Sequence, residues 1–158
     1  MTRLPALGPR GEGWVAIQGL LLAMTAAAGL LGPAWSGPIR VATSVAGAAL
    51  IAAGGVLATR GLYDLRDALT ALPYPRADAD LVQTGVYALV RHPIYGGIVV
   101  AALGWGLLTA SPAAFLACVA LFGFFQLKSR REEIWLGDRF AGYAADRART
   151  RRLIPWIG

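Results

Sequence analysis

At 158 residues, 56% of them apolar or aromatic and only 15% charged, with a mean hydropathy of +0.54, the chain has too little polar surface to cover itself in water. This excludes an ordinary soluble domain and points to an integral membrane protein of one domain, residues 1–158. The net charge of +6 comes from arginines that flank apolar segments, with no basic face of interleaved aromatics, so anionic lipid headgroups or an anionic substrate are the expected partners and nucleic acid is not.

Residues 1–13 form a polar lead carrying Arg3, Arg10 and Glu12, and Trp14 to Leu31 is then uncharged for 18 residues. A basic lead before an apolar run is also the pattern of a secretory signal. This run is long for a signal core and a second apolar stretch follows, which favours a retained helix. Gly32-Pro33 and Gly37-Pro38 punctuate a turn. Ile39 to about Thr59 is the second span, so residues 1–59 hold two N-terminal spans. Gly47, Gly54 and Gly55 permit close helix packing there, unless they reflect only a codon bias towards Ala and Gly.

Residues 60–158 carry nearly all the remaining charge and every motif. Leu62, Leu65, Leu69 and Leu72 predict an amphipathic helix over 62–72 at the water interface, ended by Pro73 and Pro75. Pro93 is suited to a first helical residue and biases His92 out of helical geometry. An apolar helix follows to Ala110. Ser111-Pro112 reads as an N-cap and a first-turn proline, starting a helix that runs with no breaker before Gly137. Cys118, the one cysteine, lies in this run; it is expected to be a small core residue and excludes an internal disulfide and a cysteine zinc site, and no metal centre is expected.

Charge sets the sidedness. With four spans, Arg40 alone of the fifteen Lys and Arg residues falls on the far side, and all nine acids fall on the near side. The positive-inside rule makes the near side cytoplasmic, with both termini there. Spacing then brings two stretches together. His92, the only histidine, lies 19 residues before Ser111 and Glu132 lies 21 after it. At roughly 1.5 Å per residue, both sit roughly 30 Å from the hairpin tip, at one height near the cytoplasmic interface. Arg91, His92, Tyr95, Lys128, Glu132, Glu133 and Trp135 should cluster there. For Lys128, Arg130 and Arg131 the plainer role is that of basic anchors, and for Trp135 that of an interfacial belt residue.

Leu81-Val82-Gln83-Thr84-Gly85-Val86-Tyr87, then Arg91-His92-Pro93-Ile94-Tyr95, Glu132-Glu133, Phe140, Tyr143 and Arg151-Arg152-Leu153-Ile154-Pro155 follow one another in the order found in a known family. Over roughly residues 60–158 the chain resembles the isoprenylcysteine carboxyl methyltransferases and their phospholipid-methyltransferase relatives. The Phe140-Ala141-Gly142-Tyr143 stretch is about one residue shorter than in that family, and Asp146 stands where a second tyrosine is usual. The resemblance implies an all-α polytopic membrane enzyme of about four spans, with a C-terminal helical hairpin and a cytoplasmic pocket. It implies S-adenosylmethionine as methyl donor, S-adenosylhomocysteine as product, and a lipid or other lipophilic acceptor. It also implies cofactor contacts from His92, Tyr95, Glu132, Glu133, Tyr143 and Arg152, and catalytic roles for Arg91 and Glu132. O-methylation of a lipophilic carboxylate is the expected reaction. N-methylation of a lipid amine is the alternative. A sterol-type reductase using NADPH and a non-catalytic membrane scaffold are more distant alternatives, the former because Ile94 precedes Tyr95 and Gly96-Gly97 follow it. Oligomeric state is not legible, since no heptad seam compels association.

Overall fold

The computed structural model describes residues 4–31, 35–76 and 78–154. It is helical throughout, with no strand among the described residues. Five helices follow in order: α1 Glu12–Leu31, α2 Pro38–Leu65, α3 Pro93–Thr109, α4 Pro112–Arg139 and α5 Tyr143–Arg149. Single 3₁₀ turns lie at Arg66–Ala68 and Gly85–Ala88. The turn expected at Gly32-Pro33, and Pro155, lie outside the described residues.

α1, α2 and α4 are long and apolar enough to cross a membrane; α3 is apolar but has only 17 residues. Their outer faces expose Leu20, Met24, Val41, Val45, Val56, Leu116 and Val119, an arrangement that water would penalise and lipid would not. Together with its motifs, this makes the protein an integral membrane protein.

The helices alternate in direction. At one end Ser111 caps α4, its Oγ accepting from Ala114 N at 3.2 Å and donating to the Ala28 carbonyl of α1 at 2.8 Å. Arg40, in the first turn of α2, donates to the Leu108 carbonyl at the C-terminus of α3. At the other end lie the start of α1, the end of α2, His92 as N-cap of α3, and the last turns of α4. Leu121 and Phe125 are fully buried between α1, α3 and α4, with Trp14, Val99, Ala102, Phe124 and Cys118 around them. Cys118 is thus the core residue its apolar run implied.

α2 and α3 approach more closely than side chains normally allow. A Cβ on Gly47 would meet Gly104 O at 2.6 Å, and one on Gly54 would meet Gly97 O at 2.4 Å. The reverse contacts, from Gly104 and Gly97, are equally short, so backbone packs on backbone. Gly55, grouped with Gly47 and Gly54 in the sequence, has nothing within 4 Å and takes no part.

The separate amphipathic helix over 62–72 is not formed. α2 itself continues through Leu65, the chain breaks at Arg66 with φ 44°, and after one 3₁₀ turn the described residues form no further helix before Gly85. The leucine pattern marked a real common surface, because Leu62, Leu65, Leu69 and Leu72 all line one cavity. The chain has to fold over that cavity, which a straight helix could not do. Asp64 anchors the return by accepting from Val86 N at 2.8 Å. Gly85, at φ 60°, lies so close to this carboxylate that a Cβ would sit 2.1 Å from Asp64 Oδ2.

Candidate active site

The hairpin of α3 and α4 brings the expected pair together. His92 Nδ1 is 3.3 Å from Glu132 Oε2, and Tyr95 Oη donates to Glu132 Oε1 at 2.5 Å. His92 and Tyr95 stand three apart at the start of α3, so they share a face. Their rings are parallel within 5°, and Tyr95 stacks in turn on Phe125 with centroids 4.6 Å apart. The column of three rings fixes where the Glu132 carboxylate can lie.

The two glutamates face different partners. Glu133 accepts from Arg91 Nε at 3.0 Å and from Arg152 Nε at 3.1 Å, and both carboxylate oxygens are used by Arg152. Arg91 also donates to the Thr150 and Arg147 carbonyls. The backbone repeats the connection: Arg91 N to Arg151 O at 2.8 Å, His92 N to Arg152 O at 2.9 Å, and Arg151 N to Leu89 O at 3.0 Å. Gly96 makes this approach feasible, because any Cβ there would lie 1.9 Å from Leu153 O. Glu133 is therefore the centre of a clasp that holds residues 150–154 against the start of α3.

A cavity of about 450 Å³ opens beside this cluster. Arg91, His92, Tyr95, Glu132 and Tyr143 line one part of it, and Leu62, Leu65, Leu69 and Ile94 line another. Its volume falls in the range of small-molecule sites, and the mix of apolar wall and convergent polar groups is what such sites share. Of the expected site residues, Glu133 and Arg152 are not in the lining; they pair with each other in the clasp. Lys128, expected in the cluster, is in the lining; so are Gln18, Tyr87 and Asp146, which the sequence had not assigned to the site. Trp135 does not join the lining either: it packs edge-on against Tyr74, with Arg131 over its ring at 4.2 Å. Asp146, standing for the missing tyrosine, is buried and pairs with Arg149 at 3.0 Å.

The electrostatics follow from burial. Dehydration alone would lower the His92 pKa. The Glu132 and Glu133 carboxylates beside the ring outweigh it and raise the imidazole pKa above its ordinary value. His92 Nε2 is 3.5 Å from Glu133 Oε1 yet has no hydrogen-bond partner. Burial also pushes the Tyr143 phenol up, keeping it protonated, and its hydroxyl too is buried without a partner. An unpaired buried donor costs about 1–3 kcal/mol unless something in the cavity accepts from it.

These groups fit S-adenosylmethionine: Glu132 for ribose or ammonium donors, Tyr143 Oη for an acceptor atom, and ring faces for adenine. No curated protein matches the chain. A model of the phospholipid methyltransferase family matches residues 42–142, from α2 to the residue before Tyr143, and so spans His92, Tyr95, Glu132 and Glu133. With well over half its length matched, the chain belongs to the phospholipid methyltransferase family and is a membrane methyltransferase.

Proposed function

We propose that the protein transfers a methyl group from S-adenosylmethionine to the carboxylate of a lipophilic acceptor. The cavity is carved into the end of the bundle where nearly all the charge lies. With four spans, α3 included, the positive-inside rule puts that end and both termini at the cytoplasmic face of the cytoplasmic membrane. The cofactor enters from the cytosol, and the acceptor enters sideways from the bilayer to lie along Leu62, Leu65 and Ile94.

When bound, S-adenosylmethionine supplies an electrophilic methyl group on a sulfonium. Glu132, His92, Tyr95 and Tyr143 hold it, and Arg91 lies at the lining where its charge favours anions. Glu133 and Arg152 keep the C-terminal segment in place behind them. The transfer needs alignment and exclusion of water more than proton removal. One observation carries the choice of acceptor: the only imidazole faces a carboxylate at each nitrogen, an arrangement that favours its protonated form over that of a proton acceptor. A carboxylate arrives already ionised and needs none, whereas a lipid ammonium would have to lose a proton first.

The test is transfer of a labelled methyl group to a panel of prenylated acids, fatty acids and lipid amines. Label is expected in a base-labile ester of an acid. Label confined to the amines would replace this function with N-methylation, and NADPH-dependent reduction without transfer would replace it with a reductase.

A further inference from the structure

α1 lies wholly outside the family match, yet it places a polar side chain in the cavity. Gln18 is the one amide in the run from Trp14 to Leu31, and its Oε1 accepts from Lys128 Nζ at 2.5 Å. Lys128 is only 2% exposed, while Arg130, two residues on, is exposed as an interfacial anchor should be. A lysine that served only as an anchor would extend its ammonium to water. Here the ammonium is buried inside the bundle, on the residue one helical turn before Glu132, where an ionic group is expensive to keep. Its surroundings are the Gln18 amide, the Tyr95 ring at 4.8 Å from centroid, and Glu132 Oε1 at 4.0 Å. The last is beyond hydrogen-bond reach. An ammonium has three N–H donors, and Gln18 takes one. Both side chains line the cavity that Leu62, Leu65, Leu69 and Ile94 wall on its apolar side.

We infer that Lys128 and Gln18 form the headgroup site for the acceptor. The Lys128 ammonium receives the carboxylate of a long-chain acid, the Gln18 amide nitrogen donates to the same group, and the hydrocarbon lies along the leucine wall. This rests on the methyltransferase function proposed above and adds the recognition of its acceptor. It also makes α1 part of the site.

The test uses the full chain in nanodiscs saturated with S-adenosylhomocysteine, comparing binding of palmitate with that of hexadecanol, which has the same chain and no charge. Wild type should prefer palmitate by about tenfold or more, the scale of one charge-assisted contact. Lys128→Met should abolish that preference and Gln18→Leu should reduce it, Lys128→Arg should retain it, and all three should bind S-adenosylhomocysteine within about twofold of wild type. Equal binding of the two lipids by wild type, or an undiminished preference in Lys128→Met, overturns the assignment. So does loss of S-adenosylhomocysteine binding in Lys128→Met alone, which would move the pair to the cofactor. Failure of wild type to bind S-adenosylhomocysteine is a different result: it removes the cofactor, and the palmitate preference is then read on the unsaturated protein.

Discussion

Gly97→Ala is expected to lower stability by about 2–3 kcal/mol, and Gly97→Leu to prevent assembly of the bundle. The new Cβ would sit 2.5 Å from Gly54 O and 2.7 Å from Ala58 N. Both obstacles are main-chain atoms inside a helix, so no rotamer change relieves the clash, and α2 must move away from α3. That movement separates Leu62 and Leu65 from Ile94 and opens the cavity wall. Gly55→Ala is the control, one residue from Gly54 on the same helix with open space around it. It should change stability by no more than about 0.5 kcal/mol. Thermal unfolding in detergent reads both. Equal melting of Gly97→Ala and Gly55→Ala would mean that the helices are not in backbone contact.

The second large effect belongs to Glu133. Its carboxylate sits between Arg91 and Arg152, with His92 Nε2 at 3.5 Å, and its side chain is 4% exposed. Glu133→Ala leaves the buried Arg91 guanidinium without its carboxylate, for which about 3–5 kcal/mol is the usual loss, while His92 keeps Glu132. Arg147 is 60% exposed and 3.9 Å away, so its share is small. The loss should be local as well as global, because the same carboxylate fastens residues 150–154 to α3. Trypsin should therefore cut between Arg147 and Arg152 faster in Glu133→Ala than in wild type. An unchanged digestion pattern with unchanged melting would show that backbone pairing alone retains the C-terminal segment.

The contrast between the two glutamates marks where sequence reasoning stopped. Counting residues on either side of Ser111 was enough to put His92 beside Glu132, because two unkinked antiparallel helices convert equal spacing into equal height. It could not say which neighbouring glutamate faces the cavity, since adjacent helical positions differ by about 100° of rotation and the reference direction is set by packing. The helices themselves were legible from apolar length, Pro93, Ser111 and Pro112. The path of residues 66–84 was not. Its leucine spacing was helical, and what overrides the spacing is a tertiary demand: Asp64 binds Val86 N and draws the chain back over the site. Gln18 and Lys128 were legible in principle as polar side chains within apolar helices. Lys128 also suits an interfacial anchor, and only the α1 contact distinguishes the two roles.

The central claim is that His92 and Glu132 hold the methyl donor, and the direct measurement is a calorimetric titration of the purified protein with S-adenosylhomocysteine. Glu132→Gln keeps acceptor and donor atoms near Tyr95 and His92, so the fold should persist while the charge is lost. Saturable binding is expected in wild type, weakened by about tenfold or more in both Glu132→Gln and His92→Ala, each still folded by its melting curve. Unchanged affinity in both folded variants, or saturable NADPH binding by a wild type that ignores S-adenosylhomocysteine, would contradict it.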